Sequence, residues 1–205
     1  MSGSPRDVFT ASGTPPVVRR LGPIDRSACL AHLLRLEPET RRQRFCGGLG
    51  DEAVAAIVEE AFRASGLMLA RRVLVGATVG RDIVALADLA IDGREAEAAF
   101  SVEAPWRQRG LGGTLFARAL LYAQNRGVRR VHVRCLVHNR AMCALARRLG
   151  LSLVFEDGEI QGTIAVPPPS PLSLLAERAG DTLALTRAMM GILGPIARIA
   201  PPRGT

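Results

Sequence analysis

The sequence predicts an α/β fold, in which helices pack against a sheet. Three observations carry this prediction. First, apolar residues alternate, as in half-buried strands, in two runs joined by turn residues, from Val73 to Val79 and from Ile83 to Ile91. Second, segments with helical spacing stand before and after these runs. Third, residues 96–126 pass from a strand-like run through a glycine-rich loop into a helix.

The N-terminal part is predicted to contain an arm, a strand and two helices. The arm, residues 1–16, is polar and rich in Pro, Gly and Ser, and it lacks the apolar core of a signal peptide. Residues 17–21 predict the first strand and residues 26–36 the first helix, which is expected to break at residues 37–40. The second helix begins at Asp51, and its buried face is expected to consist of Ala53, Ile57 and Ala61.

The remaining elements of the main domain alternate between the two kinds of spacing. In chain order they are a hairpin of strands 73–79 and 83–91, a strand at 96–102, a helix at 111–126, a strand at 131–137, a helix at 139–149, and a second hairpin of strands 151–155 and 160–166 around Asp157-Gly158. On the helix at 139–149 we expect Arg140, Arg147 and Arg148 to face water.

Residues 167–205 are expected to form a Pro-rich linker and a C-terminal amphipathic helix outside the main domain, residues 17–166. The helical spacing connects Leu185, Met189, Ile192, Ile196 and Ile199. This segment is too interrupted by Gly and Pro to supply the roughly 20 apolar residues of a membrane-spanning helix. We expect the helix to pack on its own domain or on a second subunit, as in a homodimer. Contact with a membrane surface or a partner protein is the alternative.

Composition limits the classes of ligand and compartment. The chain of 205 residues carries a formal net charge of +8, which favours anionic ligands such as a nucleotide cofactor or an acidic protein. Nucleic acid is disfavoured, because an aromatic content of 4% provides no stacking platform and the arginines are spread along the whole chain. The 4 cysteines form no C-x-x-C pair and the 3 histidines are dispersed. We therefore expect reduced thiols, a cytoplasmic protein and no metal site.

The junction between the strand at 96–102 and the following helix predicts an anion site. The first N–H groups of a helix have no intrahelical partner, and the helix dipole is positive there. Gly110, Gly112 and Gly113 allow close approach of the backbone, and Arg107 and Arg109 add positive charge. A Walker loop is excluded because the chain contains no lysine, and the spacing of the glycines does not fit a dinucleotide fingerprint.

The sequence motif R-x-x-G-x-G, from Arg107 to Gly112, resembles the acyl-CoA pyrophosphate loop of the GNAT superfamily of N-acetyltransferases. The predicted order of strands and helices over residues 17–166 is also similar to that of the GNAT fold. The resemblance implies a central mixed, mostly antiparallel sheet flanked by helices, here with a C-terminal helical extension. It further implies acetyl-CoA as the cosubstrate, and no metal.

The resemblance also implies which residues hold acetyl-CoA. Pantetheine would run beside the fourth strand and bind the backbone of Val102, Glu103 and Ala104. The pyrophosphate would bind Arg107, Gln108, Arg109, Gly110, Leu111, Gly112, Gly113 and Thr114. Asn139 matches an asparagine that many members place near the cofactor after the fifth strand, and it is also a good N-cap for the helix that follows.

The segment N-R-A-M-x-x-L-A-R-R-L-G, residues 139–150, resembles bacterial protein-lysine acetyltransferases of this superfamily. Their catalytic domain also shows A-E before the fourth strand and R-F early in the chain, which match Ala96-Glu97 and Arg44-Phe45. The matching glutamate is taken as the general base, so the resemblance assigns this role to Glu97.

Glu97 has alternatives, and the general acid is open. Burial of Glu97 in its apolar strand would raise its pKa toward that of a base. A shift of one residue in register would instead turn Glu97 away from the site, and Glu103 is the second candidate. The tyrosine that many members use as general acid is Ala146 here. Tyr122 is expected to pack, and Cys135 and Cys143 have no evident histidine partner that would make them nucleophiles.

Together these observations predict an acetyl-CoA-dependent N-acetyltransferase with a protein lysine side chain as acceptor. Two alternatives remain. One is a small-molecule amine acetyltransferase with a closed acceptor pocket lined by the first two helices. The other is a non-catalytic acyl-CoA-binding module, which is favoured if Glu97 faces away from the site and nothing replaces the missing tyrosine.

Overall fold

The computed structural model describes residues 15–65, 71–156 and 158–193. Most of the predicted arm, Asp157, Ile196 and Ile199 lie outside these ranges. The strands are β1 Val17–Arg20, β2 Arg72–Val79, β3 Asp82–Asp92, β4 Glu95–Val102, β5 Arg130–Leu136, β6 Ser152–Glu156 and β7 Glu159–Ala165. The helices are α1 Arg26–Arg35, α2 Pro38–Phe45, α3 Asp51–Ser65, α4 Leu111–Asn125, α5 Arg140–Arg148 and α6 Pro171–Leu193.

The described strands form one seven-stranded sheet in the order β1-β2-β3-β4-β5-β7-β6. All neighbours pair antiparallel except β4 and β5, which are parallel. The parallel pairing covers only residues 95–97 of β4 and 130–132 of β5, although both strands continue further. The predicted mixed, mostly antiparallel sheet is therefore confirmed, and a gap opens between β4 and β5 beyond Glu97.

Apolar side chains fill both faces of the first half of the sheet. On one face α1 and α3 pack on β2 and β3, with Leu33, Val54 and Leu74 in the core. On the other face α4 packs on the same strands through Leu115 and Phe116. Because helices cover both faces, all residues of β2 except its two ends and the first two thirds of β3 are largely buried. This core fixes the end of β4 and the beginning of α4 relative to each other.

The structure contains a helix that the sequence analysis did not predict. Residues 37–40 were expected only to break the first helix, and α1 does end there, since Leu36 is extended at ψ 137°. A new helix, α2, nevertheless begins at Pro38. Proline is well suited to this position, because the first helical N–H has no intrahelical partner and the ring fixes φ at a helical value. This helix matters because it forms one wall of the site described below.

The buried face of α3 also differs from the predicted one. Ala53 is exposed and Ile57 only half-buried, while Ala61 is buried as expected. The residues that face the core are Val54, Val58, Ala61 and Phe62. A face with two valines and a phenylalanine removes more apolar surface from water than one with two alanines, which explains the rotation.

The C-terminal helix α6 packs on its own domain, against β1 and α4. It begins at Pro171, directly after the Pro-rich segment, and so includes residues before Leu185, the first apolar position named for its helical spacing. Asp181 accepts hydrogen bonds from Arg118 (2.7 Å) and from the Tyr122 hydroxyl, and Glu177 accepts one from Asn125 (2.7 Å). Its outer surface exposes the large apolar side chains of Leu172, Leu174, Leu175, Leu183 and Leu185. None of the helices in the described ranges combines the length and hydropathy needed to cross a bilayer.

Candidate active site

A cavity of about 630 Å³ lies at the gap between β4 and β5. We call it the thioester cavity. Its walls are the end of β4 (residues 100–102), the glycine-rich loop with the start of α4 (residues 106–108 and 110–113), part of α2 (residues 40, 43 and 44) and one side of α5 with its N-cap (residues 139–142, 144, 145 and 148). The strand–loop–helix junction that predicted an anion site is thus part of a larger cavity.

The loop presents a helix N-terminus to this cavity. Gly110 is the N-cap of α4 and has φ +79°, a left-handed conformation that favours glycine. The Thr114 N–H bonds the Gly110 carbonyl at 3.1 Å, so the helical ladder begins there. The N–H groups of residues 111–113 precede this ladder and have no intrahelical acceptor. Together with the helix dipole they form a site for an anion such as pyrophosphate.

The arginines around this loop differ in their availability. The Arg107 guanidinium lies against α2, where it donates to the Glu37 carboxylate at 3.1 Å and to the Thr40 hydroxyl. The Arg109 guanidinium stacks over the Trp106 ring, 4.9 Å from its centre. Of these two predicted cations, Arg107 is held by protein partners and Arg109 is the more available to an anion.

Two further arginines of the cavity were predicted to face water, and both are exposed. Arg140 and Arg148 both line the thioester cavity, and a Cβ built on Gly113 would lie 3.0 Å from Nη2 of Arg148. The sequence held a signal for this placement. Positions 140, 144 and 148 share one helical face, and Ala144 also lines the cavity.

The indole N–H of Trp106 indicates that the cavity fits a polar ligand. The residue is 8% exposed, and its indole N–H is buried without a hydrogen-bond partner among the described residues. Such an unpaired donor is costly in a folded protein unless a ligand or water accepts from it. The orphaned donor, the free helix N-terminus and the arginines fit a large anion. Acetyl-CoA is that kind of ligand.

The backbone of β4 offers hydrogen bonds to the gap at Val102. The Glu103 N–H donates to the Val84 carbonyl at 3.0 Å, and its carbonyl accepts from the Trp106 N–H. Because the hydrogen-bonding direction alternates along a strand, Phe100 and Val102 direct their N–H and carbonyl groups toward the gap, where the Val102 carbonyl accepts from Arg107 Nε at 3.3 Å. The predicted pantetheine contact at Val102 fits this geometry, whereas the backbone of Glu103 is already engaged. The Ala104 carbonyl accepts from the Arg107 N–H at 3.3 Å.

Asn139 combines its two expected roles. Its side-chain oxygen accepts a hydrogen bond from the Met142 N–H at 3.0 Å, so it caps α5. The same residue lines the thioester cavity. The cap orients the N-terminus of α5, which carries Arg140, toward the ligand.

Glu97 lies in a second cavity, of about 600 Å³, on a face of the sheet formed by β3 to β7. We call it the acidic cavity. Glu97 is not buried: its side chain is 49% exposed and pairs with Arg134 at 3.1 Å. Its neighbour Glu95 accepts hydrogen bonds from Arg130 and His132, and these hold the pKa of Glu95 at about 2. The assignment of Glu97 as general base stays a prediction.

The buried carboxylate of the site is that of Glu103. It accepts hydrogen bonds from His32 Nδ1 (2.9 Å) and from Arg35 Nη2 (2.9 Å). The other ring nitrogen of His32 contacts the Ser101 hydroxyl at 2.9 Å. The sequence analysis missed His32, although Cys29, His32, Leu33 and Leu36 are spaced as one buried helical face.

The Arg44-Phe45 pair anchors α2 to the sheet. The Arg44 guanidinium donates to the Asp88 carboxylate at 2.9 Å, and Arg72 donates two further hydrogen bonds to it, each 2.7 Å long. The side chains of Arg44 and Asp88 are 7% and 6% exposed. Burial alone would raise the pKa of the Asp88 carboxyl, but the hydrogen bond from Arg72 and the charges of both arginines hold it below its usual range.

The remaining candidates for proton transfer or nucleophilic attack lie outside the thioester cavity. Ala146 is buried in α5, as expected for a position that lacks the tyrosine hydroxyl. Tyr122 is fully buried and points to α6; burial and Asp181 raise its pKa. Burial raises the pKa of Cys135 to about 12, which leaves its thiol protonated. No three metal-ligating side chains come together in the described part of the chain.

Comparisons with known proteins agree with this geometry. Residues 59–151 match the model of the acetyltransferase (GNAT) family. A search of curated proteins found no match. The GNAT domain of S. lividans PAT is 23% identical, with a TM-score of 0.63 over 74% of this chain and 90% of that chain.

Two further solved structures share the fold. The ribosomal-protein-S18-alanine N-acetyltransferase of Escherichia coli is 17% identical, with a TM-score of 0.56 over 76% of this chain and 97% of that chain. The PaiA N-acetyltransferase of Thermoplasma acidophilum, in complex with coenzyme A, is 12% identical, with a TM-score of 0.58 over 74% of this chain and 99% of that chain. The predicted GNAT fold is confirmed: the chain shares the fold of the GNAT domain of S. lividans PAT, and its residues 59–151 are similar to the GNAT family model.

Proposed function

We propose that this protein is an acetyl-CoA-dependent N-acetyltransferase that acetylates lysine side chains of other proteins. One observation carries the proposal: the gap between β4 and β5 runs from a helix N-terminus, suited to pyrophosphate, to Glu97, the last residue of β4 that pairs with β5. The family supports acyl transfer from acetyl-CoA. The cytoplasm is the proposed compartment, which the four free thiols support.

The thioester cavity would hold acetyl-CoA through its loop, its arginines and β4. The N–H groups of residues 111–113 would bind the pyrophosphate, and Arg148 in the cavity wall and Arg109 on the Trp106 ring would neutralise its charge. Pantetheine would lie in the gap as an added strand, and the Val102 N–H would polarise the thioester carbonyl. A backbone donor placed at a developing oxyanion stabilises the tetrahedral intermediate.

The acidic cavity is the proposed acceptor site. It is lined by strand residues on an open face of the sheet, so a lysine displayed by another protein could enter it. Its carboxylates would attract a cationic side chain. They belong to Asp92, Glu95, Glu97, Glu156 and Glu159. A small-molecule enzyme is expected to have a closed pocket lined by the first two helices, which the acidic cavity is not.

Glu97 is the proposed general base. Its carboxylate lies at the acceptor side of β4 and would take the proton of the lysine ammonium once Arg134 has moved away. A second candidate function rests on the same residues. Glu97 is half-exposed and ion-paired, and Ala146 stands at the tyrosine position. Both facts favour an acyl-CoA-binding module without transferase activity.

The test is transfer of labelled acetyl from acetyl-CoA to lysine-containing proteins and to small amines. The chain itself contains no lysine, so label on lysine must lie on the acceptor. We expect label on protein lysines, and we expect Glu97→Gln to lower kcat about 100-fold or more while leaving the Kd for coenzyme A unchanged. Glu59→Gln is the matched control, because Glu59 is similarly exposed and paired with Arg26 on the helical side.

Each contradicting outcome identifies a different error. Label on a small amine alone would show that the acceptor class is wrong while the chemistry is right. Binding of acetyl-CoA without any transfer would favour the binding module. Transfer that survives Glu97→Gln would show that another group accepts the proton.

A further inference from the structure

Ser101, His32 and Glu103 form a hydrogen-bonded chain at the end of β4. The Ser101 hydroxyl lies 2.9 Å from His32 Nε2, and His32 Nδ1 lies 2.9 Å from a Glu103 carboxylate oxygen. An ionised carboxylate only accepts, so Nδ1 carries the ring hydrogen of neutral His32. Nε2 is then the acceptor, and the Ser101 hydroxyl donates to it. This is the arrangement of a nucleophile, its base and the group that orients the base.

The fold brings these three groups together from two distant segments. Ser101 and Glu103 are two residues apart, so they share one face at the end of β4. His32 comes from α1, which packs on the neighbouring strand β3, and its ring reaches both residues. His32 is 0% exposed, Ser101 4% and Glu103 8%. The chain is therefore shielded from bulk water, which strengthens its hydrogen bonds.

Arg35 fixes the orientation of the carboxylate. It donates to the Glu103 oxygen from Nε (3.2 Å) and Nη2 (2.9 Å) and also bonds the Ile83 carbonyl at 3.0 Å. The outer member of the chain, Ser101, belongs to the wall of the thioester cavity. Its neighbour Val102 directs its backbone toward the same gap.

We propose that Ser101 is an acyl-accepting nucleophile, so that the protein releases coenzyme A from acyl-CoA even when no amine is present. The proposal rests on the proposed function only in placing the thioester in that cavity. The Ser101 oxygen attacks the thioester carbonyl carbon as its proton passes to His32 Nε2. The carbon–sulfur bond then breaks, and the thiolate takes this proton. The products are an acyl ester of Ser101 and the free thiol of coenzyme A.

A second nucleophile, water, then cleaves the acyl ester of Ser101. Water that enters the cavity attacks the ester carbonyl and gives one proton to His32, which returns it to the Ser101 oxygen as the ester bond breaks. The products are the free acid and the original serine. Slow hydrolysis of acyl-CoA is therefore the additional activity.

A purely structural role makes a different prediction. If the chain only ties α1 to β4, replacing its members lowers stability and produces no change in covalent labelling. The decisive observation is thus an ester on Ser101. The sequence makes this ester easy to locate, because cleavage after Arg94 and Arg107 gives a peptide of residues 95–107 in which Ser101 is the only hydroxyl or thiol side chain.

The experiment incubates the full chain with labelled acetyl-CoA in the absence of amine. It then measures release of coenzyme A by chromatography, label that survives denaturation, and acetylation of the peptide of residues 95–107 by mass spectrometry. Lysine self-acetylation cannot interfere, since the chain has no lysine. We expect an acetyl group on this peptide that alkaline hydroxylamine removes, as it does from esters.

Three variants and one control complete the test. Ser101→Ala should abolish the peptide label and lower release of coenzyme A to the background rate. His32→Gln should lower release about 100-fold or more, as expected for loss of a general base. Ser101→Cys should keep the label but make it removable by neutral hydroxylamine, which covers the case that Ser101→Ala does not fold. Ser173→Ala is the control, because Ser173 is also buried and hydrogen-bonded but lies against α4.

The outcomes separate this proposal from the proposed function. Ester on Ser101 with amine-independent release supports the nucleophile, whether or not lysine is an acceptor. Absence of label from the peptide in folded wild-type protein overturns it, even if amines are acetylated directly. Label that persists in folded Ser101→Ala, for example on Cys46, also overturns it.

Discussion

The buried carboxylate of Asp88 should be one of the most sensitive positions of this domain. Asp88→Asn removes the negative charge that pairs with both Arg44 and Arg72. Arg44, whose side chain is 7% exposed, is then left without a counterion. Breaking a buried ion pair by removing one partner costs about 3–5 kcal/mol. Each kcal/mol shifts the Tm of a chain of this size by about 2–4 °C, so we expect a loss of roughly 6–20 °C. Thermal unfolding followed by circular dichroism measures it.

The control is Asp51→Asn. Asp51 also pairs with an arginine, Arg41, but its side chain is 73% exposed. Exposed ion pairs contribute at most about 1 kcal/mol, so its Tm should fall by no more than about 4 °C. If Asp88→Asn lowers the Tm no more than this control, the buried pair does not anchor α2 as argued. A second check is Arg44→Met combined with Asp88→Asn, which should recover part of the loss because the more deeply buried of the two unpaired charges, that of Arg44, is gone.

Two further predictions concern the loop and the effect of acid. Gly110→Ala should weaken coenzyme A binding and cost about 1–2 kcal/mol of unfolding free energy, because no atom lies within 4 Å of the new Cβ and the cost is backbone strain at φ +79°. Gly48→Ala, where space is open and φ is not left-handed, should change neither quantity. Because the folded-state pKa of Asp88 is lowered, its contribution is present above its unfolded pKa and is lost as the pH falls below about 4. Urea unfolding of wild type and Asp88→Asn should therefore converge in acid, and a constant difference between them would contradict this.

The parts of the structure that the sequence predicted well depend on local signals. Strand and helix spacing indicated most elements, because packing on a sheet selects apolar residues at fixed periods. The anion loop was predictable because Gly110 and the start of α4 are adjacent in the chain, and the helix N-terminus needs no distant partner. The cap at Asn139 was predictable for the same reason.

The parts that it missed depend on contacts between distant segments. The ion pair of Glu97 depends on Arg134, which the register of β4 and β5 brings beside it. The environment of Glu103 depends on His32, a partner on another element. Hydrophobic periodicity carries no information on such pairs. It could identify His32 as buried, but not name the groups that its two nitrogens contact.

Glu97 and Glu103, the two candidates for the catalytic base, differ in burial because α1 covers only one end of the strand face on which both lie. Glu97, Ser101 and Glu103 occupy alternate positions and so point to the same side of the sheet. Helix α1 covers the end that carries Ser101 and Glu103, whereas Glu97 lies on the open face. The thioester would lie beside the boundary between these two regions. A proton leaving a lysine would then be nearer to Glu97 in the open cavity, and a proton leaving Ser101 to His32 under α1. The two roles are chemically compatible, and the separate effects of Glu97→Gln on amine transfer and of His32→Gln on amine-independent release would show that both groups act.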